Sequence, residues 1–294
     1  MPNERSEGAV LLMDDQHVGS QGFAVAAKSG GLRRSAEGLA DLRSGAENWR
    51  LSYLMGVREI RQRYARSRLG QFWLTLSTAI MVAALGFVWA GLWKLPVAEL
   101  LPFVAISLVV WNLISGTLGE AATVFVKSGS MFLNQGMSFS TAIYGLVWKQ
   151  FLIFLHNVPI IAVTMLVFMQ PFKLCTLLVL PAMALVLLTL TWSSYVIGIL
   201  CLRYRDLTQL VQSGLLIVFF VTPVLWKPTQ MSPDKLYLLT LNPFAALLSI
   251  VRKPLLGEFP TLSEWAMSGL VAVGGFLLAL SLIGYCRRRI VYWI

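Results

Sequence analysis

Five arginines, Arg58, Arg61, Arg63, Arg66 and Arg68, crowd the stretch V-R-E-I-R-Q-R-Y-A-R-S-R. Guanidinium groups at that density suit phosphate oxygens, because each presents a planar fork of N–H donors that never loses its charge. Two more, Arg203 and Arg205, sit in R-Y-R-D beside Asp206, between two long apolar runs. Lipid phosphate, Asp206 itself and a partner protein are all chemically reasonable contacts for them. A third feature is aromatic. Leu85, Gly86, Trp89 and Trp93 share one face at helical spacing. Such a stripe serves helix packing, or it forms a wall that stacks on the C–H faces of sugar rings.

Catalytic chemistry finds no foothold. The chain has no G-x-x-x-x-G-K-[ST] phosphate loop, no H-E-x-x-H and no G-x-S-x-G. Cys175, Cys201 and Cys286 are scattered at the ends of apolar runs, and His17 and His156 are far apart, so no metal or disulfide framework is indicated. At membrane depth only Glu120, Lys149 and His156 are ionisable, too few for a proton pathway. Glu120 and Lys149 either pair across neighbouring helices or snorkel separately to the interface. No catalytic, cofactor-binding or metal-ligating residue is predicted, and uphill movement of any cargo would draw its energy from elsewhere.

The elements that must carry these residues follow from composition. The chain is 57% hydrophobic and 13% charged over 294 residues, about half the charge of a soluble domain at ~25%. Several apolar runs reach the ~20 residues that a bilayer requires, which predicts an all-α membrane protein. Six transmembrane helices are expected: Phe72 to Trp93, Leu101 to about Ala122, about Ala142 to Met169, about Leu174 to Leu200, Leu207 to Trp226, and about Trp265 to Tyr285. Residues 1–48, rich in Gly, Ser, Ala, Glu and Arg, read as a disordered tail. Residues 49–70 read as a basic amphipathic helix on the membrane surface, with Trp49, Tyr53, Met55 or Gly56, Ile60 and Tyr64 recurring at three- to four-residue spacing and the aromatics in the headgroup zone. Residues 71–286 hold the spans, and 287–294 form a C-terminal tail.

Charge sets the orientation. An even number of crossings puts both termini on one side. The connections on that side hold 17 of the 24 Lys/Arg, against six on the other. Both termini are therefore expected in the cytoplasm. The same distribution accounts for the net charge of +10 without nucleic acid. The 227–264 connection contains L-Y-L-L-T-L-N-P-F-A-A-L-L-S-I-V at residues 236–251. Broken by Asn242-Pro243, this piece reads as a re-entrant segment between the fifth and sixth spans, or as an external interfacial helix. In D-L-T-Q, Asp206 and Gln209 have the spacing of a capping box for the fifth span. Pro223 falls near the outer end of that span, as a kink that a pore-lining helix would use for a gate.

R-Y-R-D-L-T-Q-L-V-Q-S-G-L-L-I-V-F-F-V-T-P-V-L-W resembles the signature of ABC-2 type transporter permeases that export polysaccharides such as O-antigen, galactan, capsule and teichoic acid. Three further segments agree in order: R-E-I-R-Q-R-Y-A-R-S-R-L-G-Q-F-W, L-P-F-V-A-I-S-L-V-V-W-N, and L-N-P-F-A-A-L-L-S-I-V-R-K-P-L-L-G. I-F-L-H-N-V-P in the third span is similar to the O-antigen and galactan branch. Residues 131–140 depart from the pattern by lacking the proline often found before the third span.

The resemblance implies a homodimer in the bacterial inner membrane, with two copies of an ABC nucleotide-binding subunit that carries the ATP and Mg. The implied cargo is a polyprenyl-diphosphate-linked glycan moved from cytoplasm to periplasm. It also implies that residues 49–66 and 127–138 meet the ATPase, and that the first and fifth spans line the pore. Trp89, Trp93, Phe219, Phe220 and Trp226 then become glycan-pathway candidates. Arg58, Arg61, Arg63, Arg66, Arg68, Arg203 and Arg205 become candidates for headgroup or ATPase contacts. The alternatives are an ABC-2 exporter of another lipid, capsule or drug, a membrane-embedded glycosyl- or acyltransferase, and a passive channel.

Overall fold

A computed structural model describes residues 36–170, 173–235 and 237–293, and every described element is helical. Helix α1 covers 36–47, α2 Trp49–Tyr64, α3 Phe72–Trp93 and α4 Val97–Ala121. Two short helices follow, α5 Val124–Lys127 and α6 Gly129–Gln135, then α7 Phe139–Val167. A 3₁₀ turn at Leu174–Leu178 leads into α8 Val179–Arg203, and α9 spans Leu207–Val221. The chain ends in α10 Tyr237–Thr240, α11 Pro243–Leu255 and α12 Leu262–Trp293.

Helix α4 is the axis of the fold. Between Glu99 and Glu120 it carries no charge, and it is packed against α3, α7, α8, α9 and α11. A helix apolar on every face is stable only when neighbours surround it. Its apolar stretch is 78% buried, against 11% for α3. Its polar groups stay inside the helix: Ser107 donates to the Phe103 carbonyl at 2.7 Å and Thr117 to that of Leu113 at 2.6 Å. Helices α8 and α12 form a second packed pair. There the Trp192 ring lies so close to Gly275 that a Cβ would fall 2.1 Å from it.

Five helices among the described residues are long and apolar enough to cross a membrane: α3, α4, α7, the Leu174–Arg203 unit and α12. The expected fifth span is shorter than predicted. Helix α9 ends at Val221 after 15 residues, and Thr222 turns extended with ψ 138. Apolarity continues to Trp226, but Pro223 has no N–H to extend the ladder. Pro223 therefore stands beyond a helix end and is not a kink within one. The predicted capping box at its start is absent too. Asp206 is itself in the helical region, at φ −65 and ψ −25, and its side chain caps nothing.

Three more boundaries differ. Residues 36–47, expected in a disordered tail, form α1, while residues 1–35 of that tail lie outside the described residues. The surface helix stops at Tyr64 rather than near residue 70, where Gly70 turns at φ +55 before α3. The expected C-terminal tail continues α12 through Trp293.

Candidate functional site

Two buried cations mark the two ends of the bundle. At the α2 end, Lys149 of α7 is 4% exposed at its side chain and donates to both Glu59 of α2 and Glu120 of α4. Arg63 of α2 closes the network on the other oxygen of Glu120 at 3.1 Å. Three helices are thus joined by two cations and two carboxylates. Of the two dispositions open for Glu120 and Lys149 in the sequence, direct pairing is the one observed. Glu59 completes it from a helix whose arginines and aromatic spacing, but not this carboxylate, stood out in the sequence.

Small residues allow that approach. Helix α2 buries Ser52, Gly56 and Ile60, one face at four-residue spacing. Ser52 donates to the Thr141 carbonyl at 3.1 Å, and a Cβ on Gly56 would lie 3.1 Å from the Gly145 carbonyl oxygen. Close helix contact through paired small residues is the usual device where backbones must approach. Of the residues expected to recur along one face, Gly56 and Ile60 are on the buried side and the aromatics are not. Trp49 and Tyr53 are exposed, although Tyr53 also tilts against Trp148 at 5.8 Å.

Helix α1 adds a second tie to α7. Asp41, buried, accepts from the Ser140 backbone N–H at 3.0 Å and from the Ser140 hydroxyl, and Tyr195 of α8 also donates to that hydroxyl. Gly38 and Gly45 let α1 sit against α12 and α7, where a Cβ would meet the Leu280 carbonyl oxygen at 3.3 Å and Ser140 Cβ at 2.4 Å. Beside it, Phe125, Phe132 and Phe139 anchor α5 and α6 by ring contacts of 5.9–6.1 Å from Phe125 and 4.8 Å between the other two. Val126, Lys127 and Leu133 are left exposed on the same side.

The predicted arginines divide. Arg63 belongs to the ionic network. Arg58 and Arg61 border a shallow groove of about 290 Å³ on α2, with Leu54 and Val57. Arg66 and Arg68 are exposed in the turn between α2 and α3. Arg203 lies 5.1 Å over the Trp293 ring and 5.8 Å over Tyr204, while Arg205 is exposed. The contacts of Arg203 are therefore aromatic, tying the α8–α9 connection to the end of α12.

The predicted aromatic residues lie along the two helices flanking α4. Trp89 and Trp93 stack on α3, with centroids 5.8 Å apart and planes 16° apart. On α9, which has no fully buried residue, Phe219 packs on Trp111 of α4 at 5.7 Å while Phe220 is exposed. Trp226 Nε1 donates back to the Phe220 carbonyl at 3.3 Å.

At the opposite end, α11 enters the bundle among α4, α8 and α12, covered by protein as a re-entrant segment requires. Asn242 caps it, accepting from the Phe244 and Ala245 N–H groups at 3.0 and 3.3 Å, with Pro243 at the first helical position. Its Nδ2 also donates to Thr222 Oγ1 at 3.1 Å. In the last turn of the same helix, Arg252 is 3% exposed. Its Nη1 donates to the Pro223 carbonyl at 2.6 Å and to Ser107 Oγ at 3.0 Å, and its guanidinium lies 4.0 Å over the Phe103 ring. Sequence reasoning had counted Arg252 only as a loop charge. Its place on the buried face of α11, between Val251 and Pro254, was the available signal.

Arg252 also borders a cavity of about 760 Å³. Its walls come from the α3–α4 corner, the segment after α9, α10, α11 and the start of α12. Two ion pairs frame it, Lys227 with Glu99 at 2.9 Å and Lys253 with Glu264 at 2.8 Å. No group of three or more His, Cys, Asp or Glu among the described residues is arranged to hold a metal ion.

A family model described as ABC-2 type transporter matches residues 50–256. Two relatives from Klebsiella pneumoniae, both called O-antigen export system permease protein RfbA, are each 22% identical over 193 residues, covering 65% of this chain and 74% of the relative. The matched range runs from α2 through α11 and so contains both buried cations. It leaves α1 and the whole of α12 outside.

Proposed function

The chain belongs to the ABC-2 type transporter family, and on that premise we propose that it is the membrane subunit of an ATP-driven exporter of a polyprenyl-diphosphate-linked polysaccharide. The observation that carries the cargo class is the alignment with two O-antigen export permeases over two thirds of the chain. ATP hydrolysis is assigned to a separate ABC subunit, two copies working with a homodimer of this permease in the bacterial inner membrane. In this reading the chain crosses six times, with both termini cytoplasmic. The α9 helix and the non-helical residues 222–226 together make the fifth crossing.

Geometry supports the arrangement at three points. Helices α3 and α9, both packed against α4, leave apolar faces uncovered, with Trp93 and Phe220 exposed. Two such faces brought together by a second copy would enclose a pathway with aromatic walls. The exposed parts of α2, α5 and α6 share the end of the bundle where the ATPase is placed. A push there reaches α4 and α7 through the Glu59–Lys149–Glu120 network without passing through a flexible loop. Arg58, Arg61, Arg66 and Arg68, exposed beside it, are assigned to the diphosphate headgroup or the ATPase.

The decisive experiment pairs purification with a cell-surface assay. The permease should co-purify with an ABC subunit as a dimer of each, and its loss should leave lipid-linked glycan inside and deplete the surface polysaccharide. A permease that binds no ATPase, or a null strain with unchanged surface glycan, would refute the assignment.

A further inference from the structure

We propose that the cavity beside Arg252 is a saccharide-binding site on the outer side of the permease, taking a short neutral segment of the exported glycan. The inference rests on the exporter reading and adds a site to it. Three features of the cavity select the ligand class. Its volume of about 760 Å³ lies within the ~300–1,000 Å³ typical of small-molecule sites. Its ionic lining balances, with Lys227, Arg252 and Lys253 against Glu99, Glu258 and Glu264. A phosphate or diphosphate would meet those carboxylates as like charges, whereas a polyol uses cationic donors and carboxylate acceptors together. Hydroxyl side chains such as Thr229 and Ser249 lie between apolar wall residues such as Leu239 and Leu256, which suits a ring with polar edges and C–H faces.

Arg252 is the independent pointer. It is buried, yet both of its hydrogen bonds use Nη1. Nε and Nη2 have no hydrogen bond among the described residues, and the residue lines the cavity. A guanidinium has five donors, and those on Nε and Nη2 are not among the fully buried unpaired atoms, so they remain available to a ligand in the cavity that Arg252 lines. Ring and hydroxyl oxygens of a sugar would satisfy them. The ligand would also sit against Pro223, whose carbonyl Arg252 already holds, so occupancy and the position of the α9 end are linked.

The test uses intact cells carrying the complete transporter, with Thr229→Cys on the exposed rim of the cavity as reporter. The native cysteines are buried, so a membrane-impermeant maleimide reads the new thiol. The probe is a pool of neutral oligosaccharides released by mild acid from the strain's own lipid-linked glycan. At ten times its dissociation constant it should slow labelling about tenfold, and Glu258→Gln should abolish that protection while leaving unprotected labelling unchanged. Equal slowing by inorganic diphosphate would make the cavity an anion site and overturn the proposal. No slowing in cells with normal surface polysaccharide would overturn the site and leave the exporter reading standing. Cells whose surface polysaccharide does not depend on the permease would overturn both.

Discussion

Lys149 and Arg252 are both buried cations facing the same central helix, but the protein neutralises them by opposite means. Lys149 meets two carboxylates from two other helices. Arg252 meets a carbonyl oxygen, a hydroxyl and an aromatic face. A charge-paired cation locks its neighbours in one arrangement, because parting them strands ions away from water. A cation held by neutral acceptors strands only dipoles when it leaves. The α2 end is thus built to transmit displacement as a unit, and the α11 end to exchange one set of oxygen partners for another.

The largest effect that follows is at Lys149. Lys149→Met leaves Glu120, largely buried, without its main partner and should cost about 3 kcal/mol, toward the lower end for a broken buried pair because Glu59 regains water. A lowered apparent melting temperature in nanodiscs checks it. Adding Glu120→Gln should recover much of the loss. Failure of that rescue would show the network to be incidental to packing, and the contrast with Arg252 would collapse. Arg252→Met comes next, at about 2 kcal/mol, because it removes two charge-assisted hydrogen bonds but also an ion that was costly to bury. Arg252→Lys should restore part of the loss, since both hydrogen bonds leave from one nitrogen and an ammonium can donate to both acceptors, but the flat contact over Phe103 is not replaced. If Arg252→Met proved the more destabilising of the two, the neutral cage would be the stronger lock.

Much of this frame was readable in the sequence, and the failures have a common cause. Helix α3 begins and ends where its apolar run does, since nothing but lipid-facing composition defines it. The fifth span was overrun because V-T-P-V-L-W is as apolar as a helix. What ends α9 is Pro223, whose carbonyl is taken by a guanidinium 29 residues away in sequence. On α2 the expected stripe held Gly56 and Ile60 but not Ser52, because aromatic periodicity outweighs a small polar residue in any hydropathy count. These small residues matter only once Gly145 stands opposite. Helix α1 was missed for the same reason, as Gly38, Gly45 and Asp41 look like tail residues until Ser140 and α12 are in place. Lone charges were legible as oddities, but their partners, 29 and 90 residues distant for Lys149, were not.

Gly56→Val sharpens the transmission side of the contrast. A side chain there meets the Gly145 carbonyl and the Lys149 backbone N–H at 3.1 and 3.2 Å, so α2 must move outward. Overpacking of this kind costs about 1–3 kcal/mol, and it should pull Glu59 from Lys149. Transport should then fall while ATPase binding to the permease persists. Co-purification of the ATPase together with a surface polysaccharide assay separates the two. Unchanged export would mean that α2 need not be docked to carry the signal.

The exposed arginines give the smallest stability effect and the cleanest separation of structure from function. Arg58 and Arg61 on the α2 groove, and Arg66 and Arg68 in the turn, have no ion pair among the described residues. Replacing either pair with Gln should change stability by no more than about 0.5 kcal/mol, as for surface sites generally. Each pair should nonetheless reduce export, and for a contact with a diphosphate the deficit relative to wild type should shrink as ionic strength rises, because salt screens the wild-type contact that the variant has already lost. Arg63→Gln is the control within the same helix. It touches Glu120, which keeps Lys149, so it should lower the melting temperature slightly and leave the salt dependence of export as it was. If the two exposed pairs behaved like Arg63, lowering stability without changing salt dependence, α2 would be a purely mechanical lever, and the headgroup would have to be met elsewhere.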